Sequence, residues 1–355
     1  MPGHDIIVVG ASAGGVEALV TLTRSLPRNL PAAVFVVLHI PAQSPSFLPD
    51  ILNRAGVLKA VHATDNLEIK HSRIYIAPPD HHMLVEHGKV RVIHGPKENR
   101  HRPAIDPLFR SAALSYGPRV TGVILTGALD DGTAGLLAVK LRGGIAIVQD
   151  PNEAFYSSRP LSALENVEVD YTLPLASIGP LLGGLAQEPT KEKGGYPVSE
   201  DMEEETKLTE MDTSIIHTRG HIGTPSAFSC PECGGVLWEI QDGDLLRFRC
   251  RVGHAFSIES VLAEQAEALE EALWVALKTL QERADLSQRL AQQARKRGQE
   301  WLAKRFDEKL HEAEQRTELI KRVLLKDKPT ADIVEAGNSS SGHKTLDKQV
   351  QKGYI

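Results

Sequence analysis

Gly10-Ala11-Ser12-Ala13-Gly14 sets a serine among small residues, after the apolar run Ile6–Val9 and before an amphipathic stretch reaching Leu26. A serine so placed between strand and helix has the G-x-S-x-G pattern of a nucleophile elbow. The sharp turn admits little bulk, and glycine takes positive φ without steric cost. Ser12 then falls at a helix N-terminus, whose free N–H groups can stabilise a developing oxyanion. The competing reading is a glycine-rich phosphate loop in a nucleotide-binding α/β protein. The glycine order is G-x-x-x-G-G rather than G-x-G-x-x-G, and no Walker lysine follows. Taken alone, the loop leaves both readings open.

A serine hydroxyl is a weak nucleophile at neutral pH and needs a base. His39 ends the apolar run Val34–Leu38, so it shares a sheet edge with Ser12. His62, His71, His81, His82, His87, His94 and His101 fall in loops or hairpins. A third group must hold the imidazole tautomer and stabilise the imidazolium. Thr126-Gly127-Ala128-Leu129-Asp130-Asp131-Gly132 follows a strand over Val120–Leu125 and opens a helix, and either aspartate fits. Singly, His39 could cap a strand and Asp130-Asp131 could cap a helix. Three suitable residue types at three strand ends favour a serine hydrolase site. The order Ser, His, Asp differs from the Ser, Asp/Glu, His order of α/β-hydrolases, so a different fold is expected.

The elements that must position these residues alternate along 1–186. Apolar runs at Ile6–Val9, Val34–Leu38, Ile74–Ile76, Val120–Leu125 and Ile145–Val148 read as strands. Asp106–Tyr116, Gly132–Leu141, Pro160–Asn166 and Ile178–Leu185 read as helices, and Met83–Val85 with Val90–Ile93 as a hairpin. The pattern predicts an α/β fold with a doubly wound, mostly parallel sheet. Such sheets carry their sites outside the carboxyl ends of the strands.

Residues 187–225, with Glu200-Asp201-Met202-Glu203-Glu204-Glu205, are expected to form a disordered acidic linker. In 226–257, Cys230-Pro231-Glu232-Cys233 is followed by Cys250-Arg251-Val252-Gly253-His254. A C-x2-C pair and a C-x3-H pair supply the four ligands of a closed, structural Zn²⁺ site. Leu237–Ile240 and Leu245–Phe248 would form the hairpin of a zinc ribbon between them. Free thiols or a redox pair compete, but an odd count of three cysteines cannot close as disulfides, and no βαβ pattern flanks the pair. Residues 258–328 lack proline and hold one glycine, Gly298; apolar residues recur every three to four positions. A helical hairpin or short coiled coil is expected there, and a disordered tail over 329–355.

The chain of 355 residues is 41% apolar with net charge −6. That acidic balance argues against nucleic-acid binding, which needs a basic face. No signal peptide or membrane-length apolar run is evident, so a cytoplasmic location without membrane insertion is expected.

Residues 5–185 resemble the catalytic domain of the chemotaxis protein-glutamate methylesterases, the CheB family. The resemblance rests on Gly10–Gly15, His39-Ile40-Pro41, Tyr75–Met83, Asn99-Arg100-His101-Arg102-Pro103, and Gly122–Gly127 leading to Asp131-Gly132 and Gly135. It implies Ser12 as nucleophile, His39 as base and Asp131, rather than Asp130, as orienter. It implies γ-methyl glutamyl esters of chemoreceptor-type proteins as substrate, glutamine deamidation as a related activity, and functional pairing with a glutamate methyltransferase. No cofactor is implied for catalysis. His101 and Arg102 are expected to help receive an acidic helical substrate, and Ala13, Gly14 and Ala128 to border it. Ala13 replaces the family's usual Thr, and Ala128-Leu129 its usual Met-Gly, which bears on substrate preference and turnover. A catalytically weak regulatory protein keeping the esterase shell is the alternative. No aspartate-bearing receiver segment precedes the first strand, so control is expected from elsewhere, the C-terminal half included. The C-terminal helices suit homodimerisation or partner docking.

Overall fold

A computed structural model describes residues 3–190, 200–211 and 223–326. Seven parallel strands form the main sheet. In chain order they are β1 (Ile6–Ala11), β2 (Ala33–Leu38), β3 (Lys59–His62), β5 (Arg73–Ile76), β8 (Val120–Ile124), β9 (Ile145–Gln149) and β10 (Tyr171–Leu173). Their spatial order is β10-β9-β8-β1-β2-β5-β3. β1 is buried throughout because it is apolar on both faces. Ile6 and Val8 face a core built with helices α3 (Ile105–Tyr116) and α4 (Thr133–Leu141). Ile7 and Val9 face the other core, built with α1 (Gly15–Ser25), α2 (Leu48–Ala55) and α6 (Leu175–Leu185). Helix α5 (Ser158–Asn166) lies between β9 and β10 in the chain. A separate antiparallel sheet orders β4 (Leu67–Glu68), β7 (Lys89–Ile93) and β6 (His82–Glu86).

The chain adds β2 and then β5 on one side of β1, and returns to place β8 on the other side. Strand order therefore reverses between β1 and β8, the crevice where doubly wound sheets bind ligands. Ser12 N–H donates to Thr126 O at 3.1 Å across that crevice.

The expected unstructured linker contains a helix, α7 (Glu200–Thr209). Within its acidic run, Glu205 is buried in an ion cluster. Glu205 meets Arg110 at 3.3 Å and Arg247 at 3.0 Å, and Glu98 meets Arg110 at 2.9 Å and Arg249 at 3.1 Å. Thr209 Oγ1 donates to Glu98 at 2.7 Å. Burial alone would raise both carboxyls; the arginines outweigh it and hold Glu98 and Glu205 well below their ordinary values. Buried charge persists only when so paired. The cluster joins α3, α7 and a four-stranded antiparallel sheet of β11 (Thr224–Ser229), β12 (Val236–Asp242), β13 (Leu245–Cys250) and β14 (Ala255–Ser257). Two more strands than the expected hairpin thus surround the cysteines. The helix α8 (Ile258–Lys296) follows β14 directly.

Among the described residues, 266–326 form a second compact unit. Within it the rest of α8 and helix α9 (Glu300–Lys326) run antiparallel. Arg295 pairs with Asp307, and Ala276 and Leu280 share a groove with Leu319 and Ile320. Gly298, at φ 69°, makes the turn. Residues 329–355 lie outside the described residues.

Candidate active site

Parallel pairing matches Ala11 with Leu38, so Ser12 and His39 are the next residues on adjacent strands. Strand spacing puts their backbones roughly 5 Å apart. His39 N–H donates to Ala11 O at 3.2 Å, which fixes where the imidazole starts. Gly14 caps α1 at φ 72°, a conformation that permits the sharp turn after Ser12.

His39 Nε2 lies 2.7 Å from Asp131 Oδ2, and both side chains are almost wholly buried, 4% and 2% exposed. Asp131 Oδ2 also accepts from Ile105 N–H at 2.7 Å. Oδ1 accepts from Asn99 Nδ2 at 3.0 Å and Asp106 N–H at 3.3 Å. Burial alone would raise Asp131; the hydrogen bond to His39 leads the interactions that hold it well below the usual carboxylate range, with the Arg159 charge and the Asn99 hydrogen bond beside it. Burial, joined by the Asp131 charge, pushes Asp106 well above that range. Asp131 is thus the ionised member of the pair. Asp130 turns elsewhere: its Oδ1 accepts from Ser257 Oγ at 2.6 Å, and burial raises it to about 6.

Burial and the Arg159 charge lower His39 from its ordinary value, against the opposing pull of Asp131. His39 is therefore neutral at neutral pH, as a base must be. Arg159, 1% exposed, donates from Nη2 toward His39 Nδ1 at 3.3 Å and to Ala128 O at 3.1 Å. Its Nε and Nη1 find no partner among the described residues. Ser12 Oγ likewise makes no hydrogen bond among the described residues. The structure joins His39 to Asp131 and sets Ser12 beside them without the serine–imidazole bond. Such bonds often tighten only when substrate is bound.

His101 stacks on His39, ring centroids 3.6 Å apart, and burial with the nearby His39 lowers it to about 3. Arg102 was expected to face substrate. Its guanidinium is instead committed to Asp80 Oδ1 at 2.7 Å and Gly95 O at 2.8 Å. Ala13 O accepts from Thr126 Oγ1 at 3.1 Å, and Ala128 is exposed.

Residues 7–182 match the model of the CheB methylesterase family. A Leptospira interrogans protein named for protein-glutamate methylesterase/protein-glutamine glutaminase activity is 40% identical over 185 residues, which are 52% of this chain and 96% of that protein. The chain belongs to the CheB methylesterase family. Its members are hydrolases of carboxylic esters. The Hydrogenovibrio crunogenus protein-glutamate methylesterase/protein-glutamine glutaminase is 36% identical over 50% of this chain, which spans 48% of that longer relative. The crystal structure of the Thermotoga maritima CheB methylesterase catalytic domain matches with TM-score 0.49 at 36% identity, over 51% of this chain and 98% of that one.

Two groups at this candidate site were not singled out from the sequence. Asn99 opens the segment Asn99–Pro103, whose residue types give it no evident role. Arg159 gave no signal, being 120 residues from His39 in an ordinary amphipathic helix.

The Cys/His module lies beyond the family match. The candidate ligand atoms of Cys230, Cys233, Cys250 and His254 all fall within 4.8 Å of one another. Cys233 Sγ–Cys250 Sγ is 3.7 Å, Cys230 Sγ–His254 Nδ1 3.7 Å and Cys250 Sγ–His254 Nδ1 3.5 Å. A tetrahedron with Zn–S bonds of about 2.3 Å has edges of about 3.8 Å, so the donor set fits Zn²⁺.

Proposed function

We propose that the chain is a cytoplasmic protein-glutamate methylesterase acting on γ-methyl glutamyl esters of chemoreceptor-type proteins. Ser12 is its nucleophile, His39 its general base and Asp131 the group that orients the base. The observation that carries this reading is the 2.7 Å bond between His39 Nε2 and Asp131 Oδ2 beside a serine on the adjacent strand end. With Nε2 held, Nδ1 is the nitrogen that takes the Ser12 proton. Oγ attacks the ester carbonyl, and the oxyanion faces the first-turn N–H groups of α1. Collapse expels methanol, protonated by His39. Water, deprotonated by the same nitrogen, then hydrolyses the acyl-serine to glutamate. A glutamine side chain follows the same route with ammonia as leaving group.

His101, Ala13, Gly14 and Ala128 border the substrate, while Arg102 holds the His101 segment through Asp80. Cys230, Cys233, Cys250 and His254 hold a structural Zn²⁺, and no step of hydrolysis uses it. A glutamate methyltransferase would supply the esters this reaction consumes. The exposed apolar residues of the hairpin, Leu269, Trp274 and Leu286 among them, suit a homodimer contact.

One observation favours a second reading, a regulatory protein that keeps the esterase shell: Arg159, not Ser12, occupies His39 Nδ1. A serine-directed fluorophosphonate separates the two. Labelling at Ser12 that disappears in His39→Ala supports the enzyme. Labelling no greater than that of Ser12→Ala favours the regulatory reading.

A further inference from the structure

Asn99 lies between the two buried carboxylates of the site. Its Nδ2 donates to Asp131 Oδ1 at 3.0 Å and to Asp106 Oδ2 at 2.8 Å. Its Oδ1 accepts from Ser257 N–H at 2.9 Å. The ionised Asp131 and the Ser257 N–H fix the amide's orientation, because only an NH₂ suits a carboxylate and only a carbonyl suits an N–H. Asn99 is 5% exposed and sits at φ 48°, a backbone region that asparagine tolerates better than most residues.

Ser257 belongs to the Cys/His module. β14 starts at Ala255, the residue after His254. Asn99 N–H donates to Ala255 O at 2.8 Å, and Ala255 N–H donates to Lys97 O at 3.3 Å. Ser257 Oγ accepts from Ser260 N–H at 3.0 Å, capping α8, and donates to Asp130. Arg100 Nε pairs with Glu264 at 2.6 Å, and Lys97 with Glu232 at 2.8 Å. The segment carrying Asn99 is therefore bound on both sides by the module. A continuous series of hydrogen bonds runs from the residue after His254 to the carboxylate that holds His39.

We propose that Asn99 is a positioning residue for Asp131, and that the Cys/His module completes the esterase site by locking Asn99 through Ala255–Ser257. The inference rests on Asp131 being the orienting carboxylate of the proposed triad. Without β14 the amide oxygen loses its partner, and the amide is free to rotate. A rotated amide presents oxygen to Asp131, and the two acceptors repel. The aspartate then shifts, and the imidazole with it. Ester binding is untouched, because Asn99 acts through Asp131.

The test uses the full chain and methylated receptor as substrate. It reads kcat, KM and amide exchange at 97–101 and 255–257. Asn99→Gly keeps the tolerance of positive φ and removes the donor to Asp131 without adding a charge. Its kcat is expected to fall about 100-fold, the cost of misplacing a catalytic group by about 1 Å, with KM little changed. Cys230→Ser with Cys250→Ser is expected to speed exchange in both segments and lower kcat similarly. Wild-type kcat in Asn99→Gly would overturn the proposal even if the double variant fails to fold. So would wild-type kcat in a double variant whose 255–257 amides exchange freely. Equal methanol release by wild type and Ser12→Ala would remove the esterase reading itself, and this inference with it.

Discussion

Arg159 Nη2 lies 3.3 Å from His39 Nδ1, the one imidazole nitrogen that Asp131 does not hold. A fully buried cation thus sits against the atom that must accept a proton from Ser12. It lowers the basicity of His39, and burial acts in the same direction. The space it fills exists because residue 127 is glycine: a Cβ there would meet Arg159 Nη1 at 2.6 Å.

Replacing Arg159 by Met keeps volume and removes the charge. A cation beside an imidazole disfavours its protonated form, so the His39 pKa should rise. Wild-type kcat/KM is expected to fall on acidification with a midpoint below the ordinary 6.5 of histidine, because neutral His39 persists to lower pH. In Arg159→Met the acid limb moves to higher pH. A limb that stays in place, or moves lower, would show that Arg159 does not tune the base.

Asp131→Asn leaves the shape of the site but replaces the charged acceptor facing His39 Nε2. The wrong tautomer is then favoured, and kcat should drop on the order of 10³–10⁴-fold with KM nearly constant. Asp130→Asn should not reproduce this loss, because Asp130 bonds Ser257 rather than the imidazole. Similar losses at both positions, with circular dichroism unchanged, would contradict the assignment.

Glu205→Gln removes one of three anions, with Glu98 and Asp242, that pair Arg110, Arg247 and Arg249. Leaving buried cations underpaired costs about 3–5 kcal/mol. Urea unfolding of the full chain should register a loss of that order. A change below about 1 kcal/mol would mean the cluster is solvated in solution.

Metal analysis of protein purified without chelator should give about one zinc per chain, falling in Cys250→Ser. Less than about half an equivalent would count against the Cys/His group as a zinc site.

The parallel sheet and two of its strand-end residues were legible because β1 and β2 are apolar on both faces and end abruptly at polar residues. Ser12 and His39 could therefore be placed on one edge without coordinates. The choice between Asp130 and Asp131 could not be read from spacing alone, since both follow β8 and only side-chain direction separates them. The helix Glu200–Thr209 was hidden for another reason. Glu205 reads as a solvated acid locally, and the arginines that bury it stand 95, 42 and 44 positions away. Arg159 and Asn99 escaped similarly, because their roles depend on packing between distant segments. The short strand Lys59–His62 lies at a sheet edge and carries too little apolar pattern to stand out.

Methanol release from methylated receptor by wild type and by Ser12→Ala, at matched folded concentration, tests the central claim most directly. Release by the wild type that falls to background in Ser12→Ala is the expected result. Equal release by both proteins would contradict a Ser12 nucleophile.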